Sequence, residues 1–346
     1  MIRSVLCLLC LLPLLACSAI AGTFWVGPCH AGSFASLSDA VKSPTVAAGS
    51  TVYVCPGVTT YMGQVIISKP LTIQGVKATN AKGITSTGGY FQYGETFGTS
   101  TSSVVLGTSL LPMFWITASP VNLADLTIDM DQSQLSPPAC GTLNVAIYYA
   151  SGSSGTVNHV VALNSEEGTY SSGCGVGIWA ENATLEDLSV TVENSVIESN
   201  NYGVVAASLQ PKNTIPVMGV TLTGNQISAD LEGIYLFQTR GTISGNVLMG
   251  PINAGGTGVF DEAPSTIVTK NTINILGGTG VFVVAPYDNV TNNKIWAELS
   301  GIDLGCNVAT VTGNSIFANT GLNRVPVSFT GTNYFYNTTF NTQGGC

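Results

Sequence analysis

The chain has 346 residues, of which 10 are Lys or Arg and 19 are Asp or Glu, so 8% of its side chains are charged against roughly 25% in an ordinary soluble domain. A net charge of −9 with so few basic residues excludes a phosphate-neutralising surface and predicts no nucleic-acid partner. Forty glycines and 45% hydrophobic residues, without the charged helix formers those classes need, exclude coiled coil and intrinsic disorder.

The first element is a basic start at Met1-Ile2-Arg3, an apolar stretch from Val5 to Leu15, and a small-x-small site at Ala19-Ile20-Ala21. This is the layout of a secretory signal peptide over residues 1–21, which leaves 22–346 as the mature chain. Leu14-Leu15-Ala16-Cys17 also resembles a bacterial lipobox, which would instead end the signal before Cys17 and anchor the protein through lipid. Either route predicts an extracellular, periplasmic or cell-surface protein with no membrane-spanning segment in its mature part. Six cysteines remain for pairing after either cut: Cys29, Cys55, Cys140, Cys174, Cys306 and Cys346. An even number in an exported chain predicts disulfides, and nearness in sequence favours Cys29–Cys55, Cys140–Cys174 and Cys306–Cys346. With two histidines and no CxxC in the mature chain, a zinc site is not expected.

The second half repeats. GVTLTGNQI, GTISGNVL, STIVTKNTI, DNVTNNKI and ATVTGNSI place asparagines at 225, 246, 271, 293 and 314, in steps of 21, 25, 22 and 21 residues. A Gly-aliphatic pair follows each of the first four, at Gly233-Ile234, Gly258-Val259, Gly280-Val281 and Gly301-Ile302. Periods of this length mark a solenoid, and the short, alternating, β-branched stretches between them are strands. The same grammar runs backwards through Asn194, Gly203-Val204 and Gly177-Ile178. The expectation is one elongated, monomeric, all-β domain, a parallel β-helix of roughly ten coils, with loops projecting at 79–103 and 131–140. The repeated asparagines are read as turn residues that tolerate a left-handed backbone and whose stacked side-chain amides satisfy turn groups otherwise buried unpaired, and His159 as a packing residue.

Residues 23–76 carry a more specific pattern. Trp25, Phe34, Leu37, Ala40, Val41, Gly49, Val52, Val54, Pro56, Gly57, Lys69, Pro70, Leu71 and Gly75 fall in an order that resembles the N-terminal cap and first coils of the pectin lyase-like superfamily. The resemblance implies a right-handed parallel β-helix with an N-terminal capping helix. That superfamily includes polysaccharide lyases, esterases and hydrolases as well as adhesins, and fold alone does not choose among them. The chain lacks GxxDFIFG and LGRPW of the pectin methylesterases, NTD, DD, GHG and RIK of the polygalacturonases, and WIDH and RxPxxR of the pectate lyases.

Aligning the coils on the Gly-aliphatic pair turns the aliphatic residue inward and the next one outward. The outward column then reads Trp115, Tyr148, Trp179, Val205, Tyr235, Phe260, Phe282 and Asp303, six of eight positions aromatic. Such a ladder is a candidate platform for polysaccharide, with Trp179, Tyr235, Phe260 and Phe282 as substrate-binding residues; the alternative is a face covered by a loop or by the tail with Tyr334, Phe335, Tyr336 and Phe340. Glu181, Phe237 and Glu262 lie further along the same strands, and Asp261, Glu262 and Asp303 are the candidate catalytic acids for a hydrolase. Asp125, Asp129 and Asp131 alternate in ADLTIDMD and offer a Ca²⁺ donor set, with Arg240, Lys270 or Lys294 as the base of a lyase. The two functional readings are a protein that binds or processes polysaccharide and a non-catalytic structural or adhesin-like surface protein. Exposure of Tyr235, Phe260 and Phe282 separates them.

Overall fold

The computed structural model describes residues 20–56, 61–79, 85–86, 89–92, 99–130, 142–164, 174–199, 201–209, 218–250, 255–325 and 331–336. The signal segment up to residue 19, all of 131–140 with Asp131 and Cys140, and Phe340 and Cys346 lie outside them. Among the described residues no helix is long and apolar enough to cross a membrane.

The chain coils as a parallel β-helix whose walls are three sheets. One coil is Met218–Thr223 in the first sheet, Gln226–Ala229 in the second and Glu232–Phe237 in the third, before Arg240–Ser244 rejoins the first sheet one coil further on. The first sheet has 11 strands, from Thr23–Val26 to Ala309–Thr312, and every pairing in it is parallel.

The register builds the interior. In the first sheet Val52, Ile73, Leu123, Val157, Val192, Leu222, Ile243, Val268, Val290 and Val311 stack one above another, all fully buried. In the second sheet Ile197, Ile227, Leu248, Ile273, Ile295 and Ile316 do the same, and in the third Ile178, Val204, Ile234, Val259, Val281 and Ile302. Strand alternation puts each of these inside because its neighbours on either side point out. Branched aliphatic side chains fill the three walls of each coil, and no charged partner is needed.

Two corners explain the repeat. Between the second and third sheets the recurring element of successive coils is a stacked glycine. A Cβ on Gly203 would meet Ile227 Cγ2 at 2.4 Å and the carbonyl oxygen of Gly233 at 2.5 Å, so the Gly of the Gly-aliphatic pair is required by close approach and not by its backbone angle. Between the first and second sheets runs a ladder of buried amides. Nδ2 of Asn246 donates to Oδ1 of Asn271 at 3.0 Å and to the Leu222 carbonyl at 2.8 Å, and Oδ1 of Asn271 also accepts from the Asn246 main-chain N–H at 2.9 Å. The same three bonds link 225 to 246, 271 to 293 and 293 to 314, and Ser195 and Asn333 continue the ladder at its ends.

The ladder corrects two expectations. The left-handed position is the residue before each ladder asparagine, occupied by Gly224, Gly245, Lys270, Asn292 and Gly313. Asn194 is one of these, so Ser195 and not Asn194 is the ladder member of its coil. His159, with φ of 53°, occupies the same position one coil earlier and is exposed, not a packing residue. Histidine, like asparagine, enters this region more readily than bulky residues do.

At the N-terminal end a helix of six residues, Leu37–Lys42, buries Leu37, Ala40 and Val41. Its first turn is closed by Ser36, whose Oγ accepts from the Asp39 N–H at 3.1 Å. Cys29 and Cys55 form a disulfide with Cα atoms 5.6 Å apart. Cys174 and Cys306 are each engaged in a disulfide too, not with one another. The aromatic tail does not fold over the third sheet where it is described: Tyr334–Tyr336 pairs in parallel with Ser315–Asn323 and adds a last strand to the second sheet.

Replacing Asn271 by Ala strands the Ile243 carbonyl and the Asn246 N–H in the interior and removes one hydrogen bond from each neighbouring side-chain amide. At 1–3 kcal/mol for each unsatisfied group, the loss is about 3 kcal/mol or more. A drop in the denaturation midpoint of Asn271→Ala, with little change in the exposed control Asn274→Ala, is the expected result in guanidinium titrations followed by circular dichroism.

Candidate functional site

The outward column of the third sheet is present as one register: Trp115, Tyr148, Trp179, Val205, Tyr235, Phe260, Phe282 and Asp303 are successive cross-strand partners. Burial divides it in two. Tyr148, Trp179 and Val205 are buried in an apolar cluster on the outside of the sheet, together with Leu110, Leu143, Val145, Cys174 and Val176. Part of their cover is the segment around Ser103 to Leu106, and its latch is Glu181. The Glu181 carboxylate, fully buried, accepts from the Ser103 hydroxyl, the Val104 N–H at 2.9 Å, the Tyr148 hydroxyl at 2.6 Å and the Trp179 indole at 3.3 Å. Four donors replace the water a carboxylate would otherwise need. Trp179 and Glu181 are thus structural here.

The C-terminal part of the column is open. Tyr235, Phe260 and Phe282 are half-buried, and Tyr202 and Phe237 join them. Ring centroids lie 6.2 Å apart for Tyr202 and Tyr235, 5.4 Å for Tyr235 and Phe260, and 5.0 Å for Phe260 and Phe282. The last two pairs meet edge to face, the arrangement favoured by ring quadrupoles. The guanidinium of Arg324 closes the row, 4.7 Å from the centroid of Phe282.

The three candidate acids separate. Only Glu262 stands on the outer surface beside the rings, as the partner of Phe237. Asp303 is on the column but is bound by Arg324, whose Nε and Nη2 donate to its two oxygens at 2.7 Å each, and by Asn323 Nδ2 at 2.9 Å. A fork-to-fork pair of this kind keeps both oxygens of its carboxylate occupied. Asp261 points inward, because alternation after the outward Phe260 requires it, and is fully buried. Its Oδ1 accepts from the Ala263 N–H at 3.0 Å and the Thr266 hydroxyl at 3.2 Å, while the buried Asp288 accepts from the Thr266 N–H at 2.8 Å. Oδ2 of each carboxyl is buried with no other hydrogen-bond partner, and the two side chains interact with each other. Burial raises both well above the usual carboxylate range, and for Asp288 the charge of Asp261 adds to it, so the pair shares a proton.

Glu232, which the sequence reading passed over, stands at the start of the same outer face as the partner of Tyr202 and Thr257. Its Oε2 is buried without a hydrogen-bond partner. Desolvation first, and the Glu262 charge second, push its carboxyl up to about 7. Glu262 is raised by desolvation, and both carboxylates act on Tyr235, whose hydroxyl is raised mainly by burial. The signal was available: Glu232 directly precedes the Gly233-Ile234 pair used to align the coils.

The calcium and lyase candidates lie elsewhere. Asp125 takes a left-handed turn position, pairs with Lys77 at 2.8 Å and accepts from Gln74, and Asp129 accepts from the Tyr90 hydroxyl. Arg240 is on the first sheet, Lys270 at the asparagine corner and Lys294 on the second sheet, none of them on the aromatic face.

With this geometry in hand, the family described as "Right handed beta helix region" matches residues 174–342, the part of the chain that holds the regular asparagine and glycine repeats. Among solved structures it is similar to PfbA, a surface adhesin of Streptococcus pneumoniae, at 14% identity and a TM-score of 0.44 over 84% of this chain and 85% of that one. It is also similar to the periplasmic alginate epimerase AlgG, at 11% identity and a TM-score of 0.32 over 84% of each chain. No curated protein matches the sequence.

The Asp261–Asp288 pair sets a pH dependence. The pair keeps a proton in the folded protein at pH values where unfolded aspartates, with a pKa near about 4, have lost theirs, so stability falls as pH rises from there through the raised values. Melting temperatures are expected to decline from pH 5 to pH 8 on the order of a few degrees. In Asp288→Asn, whose amide can donate to Asp261, the slope becomes shallower; an unchanged slope contradicts the shared proton.

Proposed function

We propose that this protein is exported and holds an extended, uncharged glycan on the outer face of the third sheet, along Tyr202, Tyr235, Phe260 and Phe282. The observation that carries this reading is a row of half-exposed rings, one per coil, at a place where polar side chains would serve a merely solvated surface. Pyranose rings lay their C–H faces against aromatic faces, and a chain of sugars repeats along its axis as the coils do. Glu232 and Glu262 flank the row and are positioned as acceptors for sugar hydroxyls. With Arg324 committed to Asp303, no free cation among the described residues of this face recruits an acidic polysaccharide.

Export fits the same account. Disulfides persist in oxidising compartments, and the Cys29–Cys55 bond belongs to that setting. Residues 1–21 would direct the export, with lipidation at Cys17 as the alternative mode of anchoring.

Cleavage of the glycan is the second reading, and it rests on Glu232. A carboxyl raised to about 7 is still protonated in about half of the molecules at neutrality and suits a general acid, with Glu262 as the base. A structural role alone is favoured only for the covered half of the column, at Tyr148 and Trp179.

Affinity electrophoresis in gels containing neutral or acidic polysaccharides tests the binding. Retardation by at least one neutral glycan is expected, weakened roughly tenfold in Phe260→Ala and in Tyr235→Ala at unchanged melting temperature. Retention unaffected by both substitutions contradicts the assignment. Release of reducing ends, lost in Glu232→Gln and Glu262→Gln, would add cleavage; a wild-type protein that binds without releasing product restricts the function to binding.

A further inference from the structure

A second column of rings lies on a different wall. Trp296, Phe317 and Tyr336 are successive cross-strand partners on the second sheet. They are 45%, 45% and 56% exposed, far more open than a ring with a packing role. Their strands alternate cleanly: Ile295, Ala297, Ile316 and Ala318 are buried, so Trp296 and Phe317 project outward. The same column further back reads Glu198, Ser228, Met249 and Asn274, so aromatic residues enter it only in the last three coils.

We infer that Trp296, Phe317 and Tyr336 form a second glycan-binding platform, for a short run of uncharged sugars. Two features favour sugar over a protein surface. The first is width. Three rings about half exposed offer on the order of 300 Å², well short of the roughly 800 Å² per partner that a stable protein interface buries. The second is the border. The column two positions before the rings holds Lys294, Ser315 and Tyr334, the last an exposed ring that carries a hydroxyl, and Glu298 and Asn319 follow two positions beyond Trp296 and Phe317. A narrow apolar stripe between hydrogen-bonding side chains matches a pyranose, which is apolar on its face and polar on its rim. Lys294 and Glu298 oppose each other in charge, which leaves the platform near neutral. Adjacent strands are about 4.8 Å apart, so sugars lying along the column would meet a ring at each coil.

This platform does not depend on the third-sheet reading and is tested apart from it. Trp296 is exposed, Trp25 and Trp115 are half-buried and Trp179 is buried, so tryptophan emission reports on Trp296. The full-length protein is titrated with neutral gluco-, xylo- and manno-oligosaccharides while its emission is followed. At least one of them should give a saturable blue shift that is absent in Trp296→Phe, weakened about tenfold in Phe317→Ala and retained in Phe260→Ala. No shift with any of the sugars, or a shift that survives Trp296→Phe, overturns the proposal. So does a shift abolished by Phe260→Ala, which would assign the signal to the third sheet. Sedimentation showing a dimer that Phe317→Ser dissociates would also overturn it, by giving the stripe to a second copy of the chain.

Discussion

Each coil of this protein can satisfy its main-chain groups only with the coils above and below it, and the rest of the structure follows from that constraint. Parallel strands in register leave no freedom to shift by one residue, since a slip would exchange the interior columns for the exterior ones. The corners must therefore repeat as faithfully as the strands. The asparagine ladder does this by making every side-chain amide both donor and acceptor to its neighbours, and the glycine stack by removing any side chain where two coils come closest. Cohesion of this kind uses hydrogen bonds and branched aliphatic packing, and it accounts for a chain with so few charged residues.

The same lattice turns sequence positions into surface columns. A residue type repeated at one position of the coil becomes a stripe along the solenoid, so a run of aromatic positions becomes a continuous surface. Whether that surface is available is decided by what covers it. Glu181 anchors a segment over the N-terminal half of the third sheet's stripe and converts those rings to core, while Tyr235, Phe260 and Phe282 are left half-open. Charge is placed as sparingly. Asp303 is matched by Arg324, Asp261 and Asp288 share a proton, and Glu232 and Glu262 remain as the carboxylates beside the open rings.

Much of the wall structure was legible because alternation and the Gly-aliphatic spacing are local. The outward register from Trp115 to Asp303 could be written down from those two rules. The same alternation places Asp261 inside once Phe260 is outside, so grouping it with Glu262 set the rule aside for the sake of an acid cluster. Other features depend on partners far away in sequence. Glu181 meets Val104 across 77 residues, and no periodicity relates them. The Asp261–Asp288 pair joins a strand end to the next coil, and Arg324 reaches back to Asp303 across 21 residues. Tyr334 and Tyr336 read as a covering tail because they fall after the last clear asparagine repeat, yet Asn333 continues that ladder and carries them into the second sheet.

The central claim is that the open aromatic face of the third sheet is where glycan binds. Hydrogen exchange measured by mass spectrometry, with and without a neutral polysaccharide that retards the protein, tests it most directly. The account predicts added protection in peptides covering Glu232–Phe237, Thr257–Glu262 and Thr279–Val283, and none in the first-sheet strands Arg240–Ser244 and Asp288–Thr291. Protection confined to the first sheet, or none on the third, would contradict it.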